Sequence, residues 1–313
     1  MKQIGKKIGT LLITLIIVSF LVFWAFTVIP GDPVTSMLGT QATPDKVIAL
    51  REEMGLNQPL LPRYIQWFTA FIRGDMGSSY SYHIPVGEMI VDKIPITMIL
   101  TLLSFFFMMI IGIPAGIYAA RHAGGKVDSV ICVCNQIIMS IPPFFAGIIM
   151  TYLFGILLHL FVPGGFVSYQ VDIGGFIQYL IFPSIAIALP KSAMTAKLLR
   201  SSLIEQTKLD YVKAAYSKGN TTNRLLWNHV LKNAMIPVIT FLGMALADMI
   251  AGSIIMEQVF SIPGLGRILL ASISSRDYPV VQAIIVCIAF IVCLINLMVD
   301  LLYHFIDPRI RMD

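Results

Sequence analysis

The chain has 313 residues, of which 57% are hydrophobic and 12% charged, against about 25% charged in an ordinary soluble domain. Its net charge is +5 and its mean hydropathy +0.82. This composition excludes a soluble globular protein, and cations retained beside membrane spans account for the positive charge without a nucleic-acid partner.

The first apolar run covers about residues 8–29 and follows Lys2, Lys6 and Lys7. It exceeds the ~7–15-residue core of a signal peptide, and no small-residue cleavage site follows, which predicts an uncleaved anchor helix. Further spans are predicted over residues 97–120, from 130 onward, and over 179–199, 235–255 and 280–302. The third run stays apolar from 130 to 162, about 50 Å of helix against a hydrocarbon core of about 30 Å. Pro142-Pro143 must bend or break it.

Charge decides how that run is counted. One bent span puts 15 of the 22 Lys and Arg residues on the side of both termini. The other side then keeps Lys46, Arg51, Arg63, Arg73, Lys93, Arg267 and Arg276. Two spans would move the cation-rich segment 191–234 to the sparse side. The positive-inside rule therefore predicts an all-α integral membrane protein with six transmembrane helices and both termini cytoplasmic. The chain divides into a tail and first span (1–29), an outer segment (30–96), spans two to four (97–199), an inner segment (200–234), and spans five and six with a tail (235–313). No internal repeat or low-complexity tract is present. Cys132, Cys134, Cys287 and Cys293 all fall in apolar stretches, so they read as buried side chains rather than a disulfide framework.

The outer segment reads as interfacial helices. Thr43 is a helix cap, Pro44 takes the first helical position, Asp45 suits the positive helix end, and Gly55 ends the helix. A second helix begins at Pro62, carries Tyr64, Trp67, Phe68 and Phe71, and stops at Gly74; such an aromatic row suits the headgroup region.

In the inner segment, Ser202 and Glu205 have the spacing of a capping box that opens a helix. Leu209, Val212 and Tyr216 fall on one helical face, and Gly219-Asn220 is a stop signal. Thr221 or Thr222 can cap a second helix that runs past Asn233 into the fifth span. The result is a basic helix–Gly–helix elbow, too long for an ordinary connector of about 4–6 residues. Composition alone fits equally a topology determinant resting on anionic lipid and a lever docked into a soluble partner.

The string Asp210-Tyr-Val-Lys-Ala-Ala-Tyr-Ser-Lys-Gly219 resembles the cytoplasmic "EAA" loop of ABC-importer permeases, in which Ala-Ala precedes Gly by four residues. Lys213 stands where that motif has an acidic residue, and Leu231-Lys232 stands where many members have Leu-Pro. The resemblance extends over nearly the whole chain, to the branch that imports dipeptides, oligopeptides and nickel. It is carried by Gly31-Asp32-Pro33-Val34, Gly55-Leu56, Pro59-Leu60, Tyr64 with Trp67, Gly74-Asp75-Met-Gly77-Ser78 and Pro95-Ile-Thr97. Phe260-Ser-Ile-Pro-Gly-Leu-Gly266, Arg276-Asp-Tyr-Pro279 and Asp307-Pro-Arg-Ile-Arg311 complete the set. In order, these motifs are similar to those of the first of that branch's two permease subunits.

The resemblance implies that Asp210, Tyr211, Lys213, Ala214, Ala215, Lys218 and Gly219 form a coupling helix seated on an ATP-binding subunit. It also implies a heterodimer with a second permease, two ABC ATPases, an extracytoplasmic solute-binding protein and a bacterial inner-membrane location. ATP and Mg would belong to the partner ATPases, with no cofactor on this chain and no enzyme activity of its own. The sequence agrees that no phosphate-binding loop is present: Gly124-Gly125-Lys126 comes closest, but Ala120 and Val127 occupy the glycine and hydroxyl positions.

Ionisable residues inside spans are functional candidates. Asp248 in the fifth span either lines a pathway, contacting a peptide amine, or bonds to a neighbouring helix. Asp300 and Lys191 lie nearer the cytoplasmic ends, where snorkelling or pairing accounts for them. Glu257, at the outer end, is a gate candidate, as are Pro143 and Pro190. His83, His122, His159, His229 and His304 are scattered and read as non-ligands, with His159 and His304 nearest the membrane core. Peptides are the favoured cargo. Nickel or metal-chelate import by the same machinery remains open, and the alternative from another class is an ion-coupled secondary transporter. The latter normally shows paired intramembrane charges and repeat symmetry.

Overall fold

A computed structural model describes residues 2–28, 34, 38, 43–53, 55, 57–217 and 221–306. The helices in order are α1 (Lys2–Val28), α2 (Pro44–Glu53), α3 (Leu60–Ile72), α4 (Val86–Val91), α5 (Ile94–Arg121) and α6 (Lys126–Ser140). Next come α7 (Pro143–Met150, continued by a π-helical stretch Thr151–Leu157), α8 (Ile173–Thr207) and α9 (Asp210–Ser217). The chain ends with α10 (Thr222–Leu225, continued by a π turn Leu226–Val230), α11 (Leu231–Val259), α12 (Leu265–Ser274) and α13 (Tyr278–Ile306). Among the described residues there is no strand, only an isolated bridge between Ser78 and Pro85.

Among the described residues five helices are long and apolar enough to cross a membrane, and the α6–α7 pair makes six if counted as one span. That pair is bent by 99°. Ile141 is extended (φ −86°, ψ 122°), as a residue before proline prefers, and Pro142 follows in the same region, so the helix stops and restarts at Pro143. Pro114, Pro183, Pro190 and Pro237 lie inside helices without ending them, as is tolerated where neighbouring helices satisfy the freed carbonyls.

One expected boundary is corrected. Ser202 and Glu205 do not open a helix; both lie in the last turns of the 35-residue α8, and Ser202 is buried. Leu199 and Leu203 continue the buried face of α8 through that point, and this packing outweighs the local capping signal. In the outer segment, α2 begins at Pro44 with Val47 N–H bonded to the Thr43 carbonyl, and Gly55 takes a φ of +64° just after the helix. Helix α3 begins two residues before Pro62 and ends before Gly74 (φ +91°).

The chain folds as two units. The first is built from Met1–Thr97 and Pro263–Leu297. Here the aromatic row of α3 packs on α1: Tyr64 stands edge-on to Phe20 and Phe23, and its hydroxyl lies 2.9 Å from Ser19 Oγ. The Arg63 guanidinium lies 5.8 Å from the Phe23 ring centroid. The buried Asp277 carboxylate gathers a distant loop, accepting from Ser79 Oγ at 2.5 Å, Tyr80 N at 3.0 Å and Ser81 N at 3.2 Å. Thr97 Oγ1 accepts from Leu265 N (3.0 Å), capping α12 across 168 residues of sequence.

The second unit is built from Met98–Ile262 with the last turns of α13. Its centre is α8, packed by α6, α7 and α11. Helix α5 also meets α8 without a side-chain gap. A Cβ on Gly112 would lie 2.7 Å from the Ser192 carbonyl oxygen, and one on Gly116 would lie 2.8 Å from that of Ala196. Gly112 and Gly116 form the small-xxx-small spacing that lets membrane helices approach backbone to backbone. At the far end of α8, Tyr179 donates to the Phe260 carbonyl (2.5 Å) and accepts from Gly164 N (3.1 Å), closing the C-terminus of α11. Gly112→Leu is expected to destabilise the protein by about 1–3 kcal/mol through overpacking, read as a lower unfolding temperature in detergent. Gly87→Ala, where a Cβ meets nothing within 4 Å, should leave that temperature unchanged.

Candidate coupling elbow and intramembrane charge pairs

The basic segment between α8 and α11 folds as an elbow. After α8 ends at Thr207, Val212 N–H bonds to the Leu209 carbonyl and α9 begins at Asp210, whose carboxylate suits a helix N-terminus. Lys218, Gly219 and Asn220, which include two of the predicted coupling residues, lie outside the described residues. Thr221 opens the second arm as expected: Leu225 N–H reaches its carbonyl at 2.9 Å and Arg224 N–H its hydroxyl at 3.4 Å.

Only Val212 of α9 is buried. Tyr211, Lys213, Ala214 and Tyr216 are exposed, and Ala215 is half-buried. The exposed Leu209 and Trp227 extend this surface. Lys213, which replaces the motif's acidic residue, pairs with Asp210 at 2.9 Å, so one turn of α9 still presents a carboxylate beside the Ala-Ala pair. Both groups are exposed, so this pair adds little stability. Tyr211 does more: its hydroxyl donates to Gln206 Oε1 at the end of α8 (2.9 Å) and accepts from Asn233 Nδ2 in the first turn of α11 (3.1 Å). One side chain of the elbow thus holds both long helices that flank it.

Just before the elbow, Arg200 grips Asp128 of α6 with two bonds, Nε to Oδ1 at 2.5 Å and Nη2 to Oδ2 at 2.6 Å. Gly124 N–H (2.9 Å) and the Cys132 thiol (3.6 Å) complete the shell around this buried carboxylate. The fork geometry is that of a bidentate guanidinium–carboxylate pair. Nothing in the sequence pairs them: Arg200 enters the sidedness count as a cation, Asp128 does not enter it, and the two lie 72 residues apart.

Asp248 bonds to a neighbouring helix. Its Oδ2 accepts from Lys191 Nζ at 2.7 Å. The pairing expected of Lys191 is thereby met; it lies midway along α8, which runs eight residues past the expected end of the span. Pro190 precedes it in the same helix. Glu257 is fully buried in the last turn of α11, and Pro143 is the first residue of α7. The side chain of Asp300 lies outside the described residues.

The cysteines also differ from expectation. None is disulfide-bonded, but Cys132 and Cys134 are exposed on α6 rather than buried, since an apolar membrane helix presents apolar residues on its outer face as well. His83 and His159 are turn residues with φ of 56° and 51°, and His159 follows α7 rather than lying in a span. No three His, Cys, Asp or Glu side chains among the described residues come together as a metal site. In the outer loop, burial pushes the Tyr80 hydroxyl up to about 12; Arg63 opposes that shift, and Asp277 and Tyr278 add to it. Burial lowers Arg63 from its ordinary value.

A helical bundle of this hydropathy, with an exposed basic elbow set between two of its longest helices, defines a multi-pass membrane protein. Residues 1–101 match the N-terminal segment of binding-protein-dependent transport system membrane components, and residues 112–312 match the binding-protein-dependent transport system inner membrane component. The chain belongs to that family of inner-membrane transport components. The oligopeptide transport system permease protein AppB of Bacillus subtilis is 34% identical, with 96% of this chain and 95% of that protein covered. The dipeptide transport system permease protein DppB of Escherichia coli is 33% identical, covering 98% of this chain and 97% of that one. Among solved structures, the inward-facing methionine ABC transporter MetNI shares the fold: TM-score 0.53, 17% identity, 70% of this chain and 96% of that chain covered.

Replacing Arg200 by Gln should lower the unfolding temperature, because Asp128 loses its counter-charge and keeps only the Gly124 N–H and the Cys132 thiol. Adding Asp128→Asn should recover most of the loss, and thermal unfolding of the single and double variants in detergent checks the cycle.

Proposed function

We propose that this chain is one of two homologous permease subunits in an ATP-driven importer of di- and oligopeptides in a bacterial inner membrane. An extracytoplasmic binding protein delivers the solute. Two ABC ATPases bind ATP and Mg, and α9 with the loop through Gly219 sits in a cleft of one of them. Both termini and the elbow face the cytoplasm, a reading supported by the excess of Lys and Arg on that side.

The observation that carries the reading is the placement of α9. It exposes Tyr211, Ala214 and Tyr216, and through Tyr211 it is bonded to α8 and α11 together. Exposed tyrosines flanking a small residue suit a docked helix, since aromatic side chains supply much of the binding energy at interfaces. Force applied to α9 is delivered to two spans at once, and allostery of this kind needs such a contact between two global states. The peptide cargo rests on the names of the relatives, which transport dipeptides and oligopeptides. Energy comes from outside the chain, whose nearest approach to a phosphate-binding loop lacks the hydroxyl that would hold magnesium.

The test is co-purification and uptake. Expressed with its neighbouring genes, the wild-type chain should carry two ATPase subunits through detergent purification, and the reconstituted complex should take up a labelled dipeptide in an ATP-dependent manner. Ala214→Arg, which places a bulky charge on the exposed face of α9, should abolish ATP-dependent uptake while leaving the chain in the membrane. Normal uptake by that variant would refute the assignment of α9 as the coupling helix.

A further inference from the structure

The Lys191–Asp248 pair is hard to reconcile with a lipid-facing position. The two charges sit near the middle of the 35-residue α8 and the 29-residue α11, whose apolar windows average 1.6 and 2.0 in mean hydropathy. A charge at the centre of a spanning helix is strongly disfavoured against hydrocarbon, so such residues face a bundle interior or water. Yet the side chains are 31% and 66% exposed. Asp248 lies in an exposed row of α11 with Thr240, Met244, Ala251 and Ile255, at spacings of three and four residues. This row is open on the second unit's own surface, and it carries a carboxylate in its centre.

The pair is also half used. Among the described residues, Lys191 spends one of its three N–H donors and Asp248 one of its two oxygens, and neither has a further hydrogen-bond partner. Two opposite charges, side by side and each with open valences, match a ligand that carries both signs. Resting on the reading of the chain as a peptide permease, we propose that Lys191 and Asp248 form a subsite for the charged ends of a zwitterionic peptide. The ammonium group lies on Asp248 and the carboxylate on Lys191. With the subsite empty, the two side chains neutralise each other; with cargo present, each exchanges its partner for one end of the peptide. At no stage does an uncompensated charge stand in the low-dielectric interior, which would be the costly state. A free peptide is held in this way by charge and by nothing specific to its side chains, which suits cargo of varied sequence.

The experiment uses the reconstituted transporter with its binding protein and L-alanyl-L-alanine. In a chain whose four cysteines are replaced by serine, Asp248→Cys should react with a membrane-impermeant thiol reagent, and the dipeptide should slow that reaction. No reaction would place the residue against lipid or a subunit and overturn the proposal; so would a reaction that the peptide does not slow. In uptake, Asp248→Asn and Lys191→Gln should each lower the rate roughly tenfold or more, the loss expected of a charge-assisted hydrogen bond. The exchange Lys191→Asp with Asp248→Lys separates cargo recognition from a structural pairing. A merely structural pair is restored by it, and recovered uptake would overturn the proposal; continued loss supports it, because the binding protein presents the peptide in one orientation. Failure of the wild-type complex to take up any peptide would instead refute the functional reading beneath it.

Discussion

A bilayer interior offers no water to a backbone N–H or C=O, so every break in a spanning helix must be satisfied by the protein itself. Several helix ends and turns of this chain are satisfied by side chains distant in sequence. The C-terminal carbonyls of α11 receive the Tyr179 hydroxyl at Phe260. The first N–H of α12, that of Leu265, donates to the Thr97 hydroxyl. The outer loop at Ser79, Tyr80 and Ser81 closes on the Asp277 carboxylate. These groups come from helices far away in sequence, so ends that look like loose loops along the chain are fixed points of the fold.

The same economy separates rigid from movable parts. Where α5 meets α8 the backbones touch through Gly112 and Gly116, and where α6 meets α8 a bidentate ion pair locks Asp128 to Arg200. By contrast α9, among the described residues, buries only Val212, and the Tyr211 hydroxyl bonds it to α8 and α11. A short, weakly buried helix opens at little cost. On the proposed reading of α9 as a coupling helix, the tightly packed α8 is the part that a shift of α9 would have to move.

Much of the architecture was legible in the sequence, because the composition of six apolar runs leaves few alternatives. The break at Pro142-Pro143 was readable from backbone sterics. The helix ends were less so: Ser202 and Glu205 looked like a start because capping is a local signal, while Leu199 and Leu203 extend α8 through a tertiary contact that no local pattern displays. The outer motifs are each short and local. That Gly74–Ser78 leads into the loop held by Asp277, or that Thr97 caps the helix opening at Leu265, is a matter of pairing across 168 to 198 residues. Gly112 and Gly116 carried a readable signal in their spacing. Arg200 and Asp128 did not, since charge counting records a sign and not a partner. Cys132 and Cys134 misled because in a membrane protein an apolar neighbourhood in sequence does not mean an interior one.

The π turn at Leu226–Val230 has a consequence for how this segment can change over time. It admits about one extra residue into a helical turn, and each residue rotates a helix by about 100°. Everything from Leu231 to Val259 takes its azimuth from that surplus. Deleting a single residue there would keep the helix intact and apolar, yet it would swing Asp248 a quarter-turn or more away from Lys191 and present a different set of side chains to every neighbour. Length in this short stretch is therefore a phase setting: a change of residue there leaves the register of α11 in place, and a change in their number does not.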